Sequence, residues 1–184
     1  MQSPFPEQSN PDLVLYGDSG LRRVITHLSI ALGRDQLVQK TTIDLQRHLS
    51  VDRVLLYYFY HQWNGKVSFE ALSNPKFSLL GSTGPDESFN DEYAQLYLEG
   101  RVRAIADIET ESIADCHRDF LRSLRVRANL VVPILIPRGL WGLLVAHHCQ
   151  SPHAWVEAEV TAMQQAAATL ASTSSIRGSQ DSLP

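Results

Sequence analysis

The chain has 184 residues, of which 43% are hydrophobic and 20% charged, with a formal net charge of −4. That length suits one domain with a real core, and the acidic balance gives no electrostatic case for nucleic acid or an anionic membrane surface. Two cysteines, Cys116 and Cys149, are too few for a disulfide framework. No apolar run reaches the roughly 18 residues of a membrane span, and the opening MQSPFPEQSNPD lacks a signal peptide's basic start and apolar centre. The expectation is a cytoplasmic location with no membrane segment within these residues.

In chain order, residues 1–19 are rich in Pro, Ser, Asn and Gly and read as a flexible lead-in. Leu21, Val24, Ile25, Leu28 and Leu32 then share a helical face. After Gly33, Asp35 is placed to cap a second helix carrying Leu37, Val38, Thr41, Leu45 and Leu49 on one stripe. VDRVLLYYFY is β-branched and aromatic, a strand, and KVSFEALS returns as its hairpin partner across HQWNG. The long stretch NPKFSLLGSTGPDES reads as a functional loop. DEYAQLYLEG is a helix stopped by Gly100, RVRAIADI a strand, and residues 113–124 a short helix entered through Ser112-Ile-Ala-Asp115. Two apolar strands follow, ANLVVPILI and LWGLLVAHHC. The tail from His153 reads as a helix whose Val156, Val160, Met163, Ala167, Leu170 and Ser174 recur at heptad-like spacing, and SSIRGSQDSLP as a frayed end. Hairpins mixed with helices give an α+β fold with an antiparallel sheet.

Several residues carry chemistry by type and place. Cys116 lies in the first turns of its helix, with Phe120 and Leu124 on the same side, so a plain buried cysteine is the bland reading. A helix N-terminus also favours a thiolate, which keeps a reactive role open. His117 is a poor partner for that thiol because adjacent helical residues point about 100° apart. His147 and Cys149 alternate on a strand and alone of that trio share a face; no metal-ligand spacing is present. Arg101 and Arg103 lie side by side at a strand start, suited to two carboxylates, or simply to solvent. Asp86 is either a turn aspartate or a carboxylate presented by the loop. The basic run RDFLRSLRVR reads as a solvated helix face. No phosphate loop, nucleophile elbow or kinase signature appears, and no catalytic residue is assigned.

Together, VDRVLLYYF, FEALSNPKFSLLG, DESFNDEYAQLYLEGRVRAIADI, DCHRDFL, VRANLVVPILI and LWGLLVAHHCQSPHAW resemble the bilin-binding GAF domains of cyanobacteriochromes, relatives of phytochromes, over about residues 21–172. The resemblance implies a central antiparallel sheet flanked by helices, with the N- and C-terminal helices packed together on one side. It implies residues 1–19 as a flexible segment, 20–175 as the domain and 176–184 as a disordered tail. It makes Cys116 the thioether attachment point of a linear tetrapyrrole and His117 a residue stacked against or hydrogen-bonded to it. Asp86 becomes the acceptor for pyrrole N–H groups, Arg101 or Arg103 the holders of the propionates, and His147 the neighbour of the D ring. Ser88, Phe89, Tyr93 and Asn129 fall in the matching motifs as further contacts. Phe77 stands where the family often has Trp, and Ser88 where one branch carries a second cysteine. A second, reversible thioether and its violet or blue state are therefore not expected.

The expectation is a non-enzymatic photoreceptor module of the single-cysteine green/red type. Phycocyanobilin is the foremost cofactor, with biliverdin or phycoviolobilin as alternatives. Light isomerises the cofactor between 15Z and 15E forms, and terminal helices pass the change to an output domain, such as a sensor histidine kinase or chemotaxis-type receptor, or to a second copy of the chain. Two rivals stand beside this. One is a GAF domain binding a small metabolite without a covalent link. The other is a thiol redox enzyme using Cys116 with Cys149 or His147.

Overall fold

The computed structural model describes residues 11–61, 63–84 and 91–179. It is an α+β fold: helices α1 (Pro11–Arg34) and α2 (Gln36–His48), strands β1 (Arg53–His61) and β2 (Asn64–Leu72), and a 3-10 turn at Pro75–Phe77. Then come α3 (Asp91–Leu98), β3 (Arg103–Ile105), α4 (Asp115–Ser123), β4 (Ala128–Ile136), β5 (Gly139–His148), α5 (Glu157–Ala171) and α6 (Ser174–Gly178). The strands form one antiparallel sheet in the order β2-β1-β5-β4-β3.

Strand alternation divides the side chains between two layers. Val54, Leu56 and Tyr58 of β1, Leu130, Val132 and Ile134 of β4, and Leu144 and Ala146 of β5 face the terminal helices. There they meet Leu28, Leu32, Val38, Leu45, Met163, Ala167 and Leu170. The opposite parity, Leu55 and Phe59, Val131, and Val145, faces a second, smaller apolar cluster with Val67 and Tyr97. The terminal helices do pack together on one side: Ser175 donates to Asp35 Oδ2, while Asp35 Oδ1 caps α2 by accepting from Leu37 N at 3.0 Å and Val38 N at 3.2 Å.

Several boundaries differ from expectation. Helix α1 begins at Pro11, inside the segment read as a flexible lead-in; proline is preorganised for a first helical turn, and Gly17 and Gly20 masked the helical pattern. On α2 the buried residues are Val38, Thr42 and Leu45, while Leu37 is exposed. Thr42 can take the buried place because its hydroxyl donates to the Val38 carbonyl at 2.8 Å. Helix α5 starts at Glu157 rather than His153. The intervening backbone is committed elsewhere: His153 N donates to Ala106 O, and the Glu159 carboxylate accepts from Val156 N at 2.9 Å. Of the supposedly frayed end, the described residues 174–179 are structured. Ile176 of α6 is fully buried, and Trp141 Nε1 donates to Ser179 Oγ at 2.8 Å. The middle of the heptad-like stripe packs on the sheet, since Met163, Ala167 and Leu170 are buried in the same core as β4, whereas Val156 at its start is exposed.

Candidate functional site

The second face of the sheet does not close. Between it, α3, α4 and the loop after β2 lies a cavity of about 450 Å³, within the range of small-molecule sites. Leu55, Tyr57, Phe59, Val131, Leu143 and Val145 form its apolar floor, and Cys116, His117, Tyr93, Arg101, Arg103, Asn129 and His147 all line it. These seven come from α3, α4, β3, β4, β5 and the turn before β3, so the fold assembles in one place residues scattered along the chain.

Helix α4 carries Cys116 to the rim. The thiol is exposed, so the plain buried-cysteine reading is overturned. Cys116, Phe120 and Leu124 do form one stripe, but it faces the cavity. The residue of α4 sunk into the protein is Leu121, packed with Ile105, Ile108 and Val126. The expected Ser112 cap does not form: Ala114 is the N-cap and offers no side-chain bond. Arginines instead bind the segment before the helix. Arg118 donates to Ile108 O and Glu111 O, both at 2.8 Å, and pairs with Asp115. Arg122 grips both oxygens of Glu109, and Arg127 both oxygens of Asp107 at 2.8 and 2.9 Å. The basic run is therefore a clamp on residues 107–111, not a merely solvated face. Two-point gripping of a carboxylate suits arginine's planar fork, and the Arg127 bond holds the Asp107 carboxyl down at about 2.

The polar lining is mostly cationic or neutral. The Arg101 guanidinium sits 5.4 Å from the Tyr93 ring centre and 5.8 Å from that of Tyr97, a cation–π arrangement. It follows Gly100, whose φ of +90° ends α3 in the left-handed region. Arg103 Nη2 lies 3.4 Å from Glu111 Oε1. Half-buried His117 is held below the usual histidine range by desolvation and then by Arg103. Among the described residues Asn129 Oδ1 is buried with no hydrogen-bond partner, an acceptor toward which a ligand donor could point.

His147 lies on the central strand β5, paired in register with Arg53 on one side and Asn129 on the other. Burial, and then Arg53, push it well below the usual range, so the ring is neutral. Arg53, almost wholly buried, donates Nε–H to His147 Nδ1 at 2.8 Å. The reading of the sequence missed Arg53 and Tyr57. The signal was present: Arg53 has the parity of Leu55, Tyr57 and Phe59, placing a charge on an otherwise apolar strand face.

Other candidates lie elsewhere. Phe77 is buried but outside the cavity lining, and its carbonyl accepts from Arg53 Nη1 at 2.9 Å. Asp86, Ser88 and Phe89 lie outside the described residues. Cys149 is half-buried, is not part of the lining, and desolvation raises its thiol to about 11; it does not join Cys116 in a redox pair there. Among the described residues no group of three or more His, Cys, Asp or Glu is arranged to hold a metal, and no helix is long and apolar enough to cross a membrane.

An open sheet with terminal helices on one face and a ligand-sized cavity on the other defines an α+β domain built to hold a small molecule, and comparison with known proteins gives its family. Residues 33–173 match the GAF domain family, and the chain belongs to it. An uncharacterized protein of Picosynechococcus sp. strain PCC 7002 is 50% identical over 154 residues, covering 84% of this chain and 94% of that protein. The circadian input-output histidine kinase CikA of Synechocystis is 32% identical, but the match covers 76% of this chain and only 22% of the kinase. Among solved structures, the cyanobacteriochrome receptor PixJ superposes with a TM-score of 0.67 at 30% identity, over 82% of this chain and 93% of that one. A phycocyanobilin-bound GAF domain from a cyanobacterial phytochrome gives 0.67 at 28% identity, over 89% and 93% of the two chains. A far-red-absorbing dark state with bound biliverdin gives 0.70 at 26%, over 88% and 99%.

Proposed function

We propose that this GAF domain is a photoreceptor module that holds a linear tetrapyrrole covalently through Cys116. The observation that carries the reading is the exposed Cys116 thiol on the rim of a cavity whose walls also present two arginines, two histidines and an unpartnered buried acceptor. The structural neighbours with bound phycocyanobilin and biliverdin support it, and the phycoerythrobilin-bound GAF domain among them widens the cofactor class. Phycocyanobilin is the first choice.

The donor set fits such a ligand. The apolar floor of Leu55, Phe59, Val131 and Val145 excludes water from a conjugated, flat molecule. Arg101 and Arg103 neutralise its two propionates. Cys116 adds its S–H across the carbon–carbon double bond of the A-ring side chain, releasing nothing. His117, Tyr93 and Asn129 contact the rings, and Asp86 accepts pyrrole N–H groups from its loop. When bound, the cofactor supplies light absorption and isomerisation at its C–D bridge. His147 and the walls then hold one of two ring orientations, and the terminal helices relay the difference to an output domain or a second copy. Since relatives such as CikA are far longer than this chain, we place the output in a larger signalling protein.

The test is absorbance under alternating green and red light, on protein made in cells that synthesise phycocyanobilin. Reversible bands between green and far-red are expected. A violet or blue state would contradict the single-thioether reading at Ser88. A colourless protein would return the cavity to an uncoloured metabolite.

A further inference from the structure

Arg53 is an unusual residue to find 1% exposed in the first position of a core strand. Each side of its guanidinium is spoken for: Nε donates to His147 Nδ1 at 2.8 Å, Nη1 to Phe77 O at 2.9 Å, and Nη2 to Leu124 O at 2.5 Å. None of these acceptors is an anion. Asp52 and Glu70 act on it only through space, as do the Cys149 thiol and Arg125. Burying a cation against neutral acceptors is expensive, and an apolar side chain could fill a strand position at lower cost. The arrangement does have a structural use, since Leu124 is the C-cap of α4 and Phe77 ends the 3-10 turn; both carbonyls lack helical partners. That use accounts for Nη1 and Nη2. It does not account for Nε.

We propose that Arg53 is a positioning residue for the cavity: by donating to Nδ1 it fixes His147 as the neutral tautomer with its proton on Nε2, so the wall presents a hydrogen-bond donor of defined identity to the ligand. A histidine accepting at Nδ1 must carry its proton on Nε2 when neutral. Among the described residues no partner takes Nε2, and the ring lines the cavity. The same guanidinium joins the Phe77 carbonyl, the C-terminal end of α4, the helix whose first turn carries Cys116, and the central strand. The consequence for recognition is chemical: the ligand group at His147 is an acceptor. The inference rests on the cavity being a ligand site, but not on the ligand being a tetrapyrrole.

The test is nitrogen-15 NMR of the imidazole rings in the labelled chain, made without any tetrapyrrole supplied, with His147 assigned by its loss in His147→Gln. The expected result is an Nε2–H tautomer that persists from pH 8 to 5.5, with a nitrogen–nitrogen coupling across the bond from Arg53 Nε. In Arg53→Gln, with the amide fingerprint retained, the ring should lose that coupling and either titrate or populate the Nδ1–H form. The coupling must vanish with its donor atom, so the tautomer is the deciding signal: a merely structural arginine would leave it unmoved. An Nδ1–H or charged ring in the wild type, or an unchanged tautomer in folded Arg53→Gln, would overturn the proposal. Should Arg53→Gln not fold, the wild-type coupling and tautomer decide alone. Failure to photoconvert would sink the bilin reading and leave this one standing.

Discussion

The Tyr57 hydroxyl accepts the backbone N–H of Gly84 at 2.7 Å and so ties the loop after β2 to the cavity floor. Both residues line the cavity, and a Cβ on Gly84 would lie 2.6 Å from that oxygen. Tyr57→Phe should cost about 1 kcal/mol, the usual net worth of such a bond. Its sharper effect should be local: amide exchange in residues 79–84 should speed up more than in β4 or β5. Uniform acceleration across the sheet would show that the loop is held by other means.

Two glycines should respond in opposite directions. A Cβ on Gly142 would lie 2.1 Å from the Tyr57 carbonyl oxygen, where β1 and β5 pair. Gly142→Ala must push two central strands apart and should cost about 3 kcal/mol or more, the scale of an overpacked core. Gly20 is within α1 with nothing inside 4 Å of the added atom. Gly20→Ala should stabilise by about 0.5–1 kcal/mol from helix propensity. Urea denaturation of both variants checks the pair.

Stability should fall on mild acidification. His147, His117 and His148 are all depressed by burial from the usual 6.5. The unfolded chain takes up protons as pH drops through that value, and the native rings do not. The stabilisation is therefore whole above the unfolded value and drains away as pH falls toward the folded ones. A ring that stays neutral loses about 2 kcal/mol of stability by pH 5 at 1.36 kcal/mol per unit. His147→Gln should flatten that slope between pH 7 and 5. A wild-type denaturation midpoint constant over this range would refute the assignment of neutral buried histidines. The Asp107 carboxyl acts in a separate window: held at about 2, its contribution is lost only below the ordinary carboxylate range.

Arg118 should control how firmly α4 is seated. It takes two backbone carbonyls of the preceding segment and pairs with Asp115. Arg118→Ala should cost about 2 kcal/mol through unsatisfied carbonyls and raise the reactivity of the Cys116 thiol toward a bulky alkylating reagent. Unchanged stability and reactivity would show that the clamp is held by Arg122 and Arg127 alone.

Much of the fold is legible in the chain because hydrophobic period and turn chemistry agree there. The hairpin of β1 and β2, the Asp35 cap and the Gly100 stop follow from local rules. Long-range bonds settle what local rules do not. The start of α5 depends on Ala106, and the burial of Ile176 on a core made from other elements. The cavity's residues could be named from motif resemblance, yet Arg53 could not. Its role exists only because β5 brings His147 beside it and two carbonyls far along the chain converge on its fork. The exposure of Cys116 is of the same kind. The stripe with Phe120 and Leu124 was visible in the sequence, but not whether it faced a packed core or a cavity.

The most direct test of the account is the intact mass of the chain, under denaturing conditions, after production in cells that make phycocyanobilin. The account predicts a mass increased by one tetrapyrrole, located on the peptide containing Cys116 and missing in Cys116→Ala. An unmodified wild-type chain, or an adduct that survives in Cys116→Ala, would contradict it.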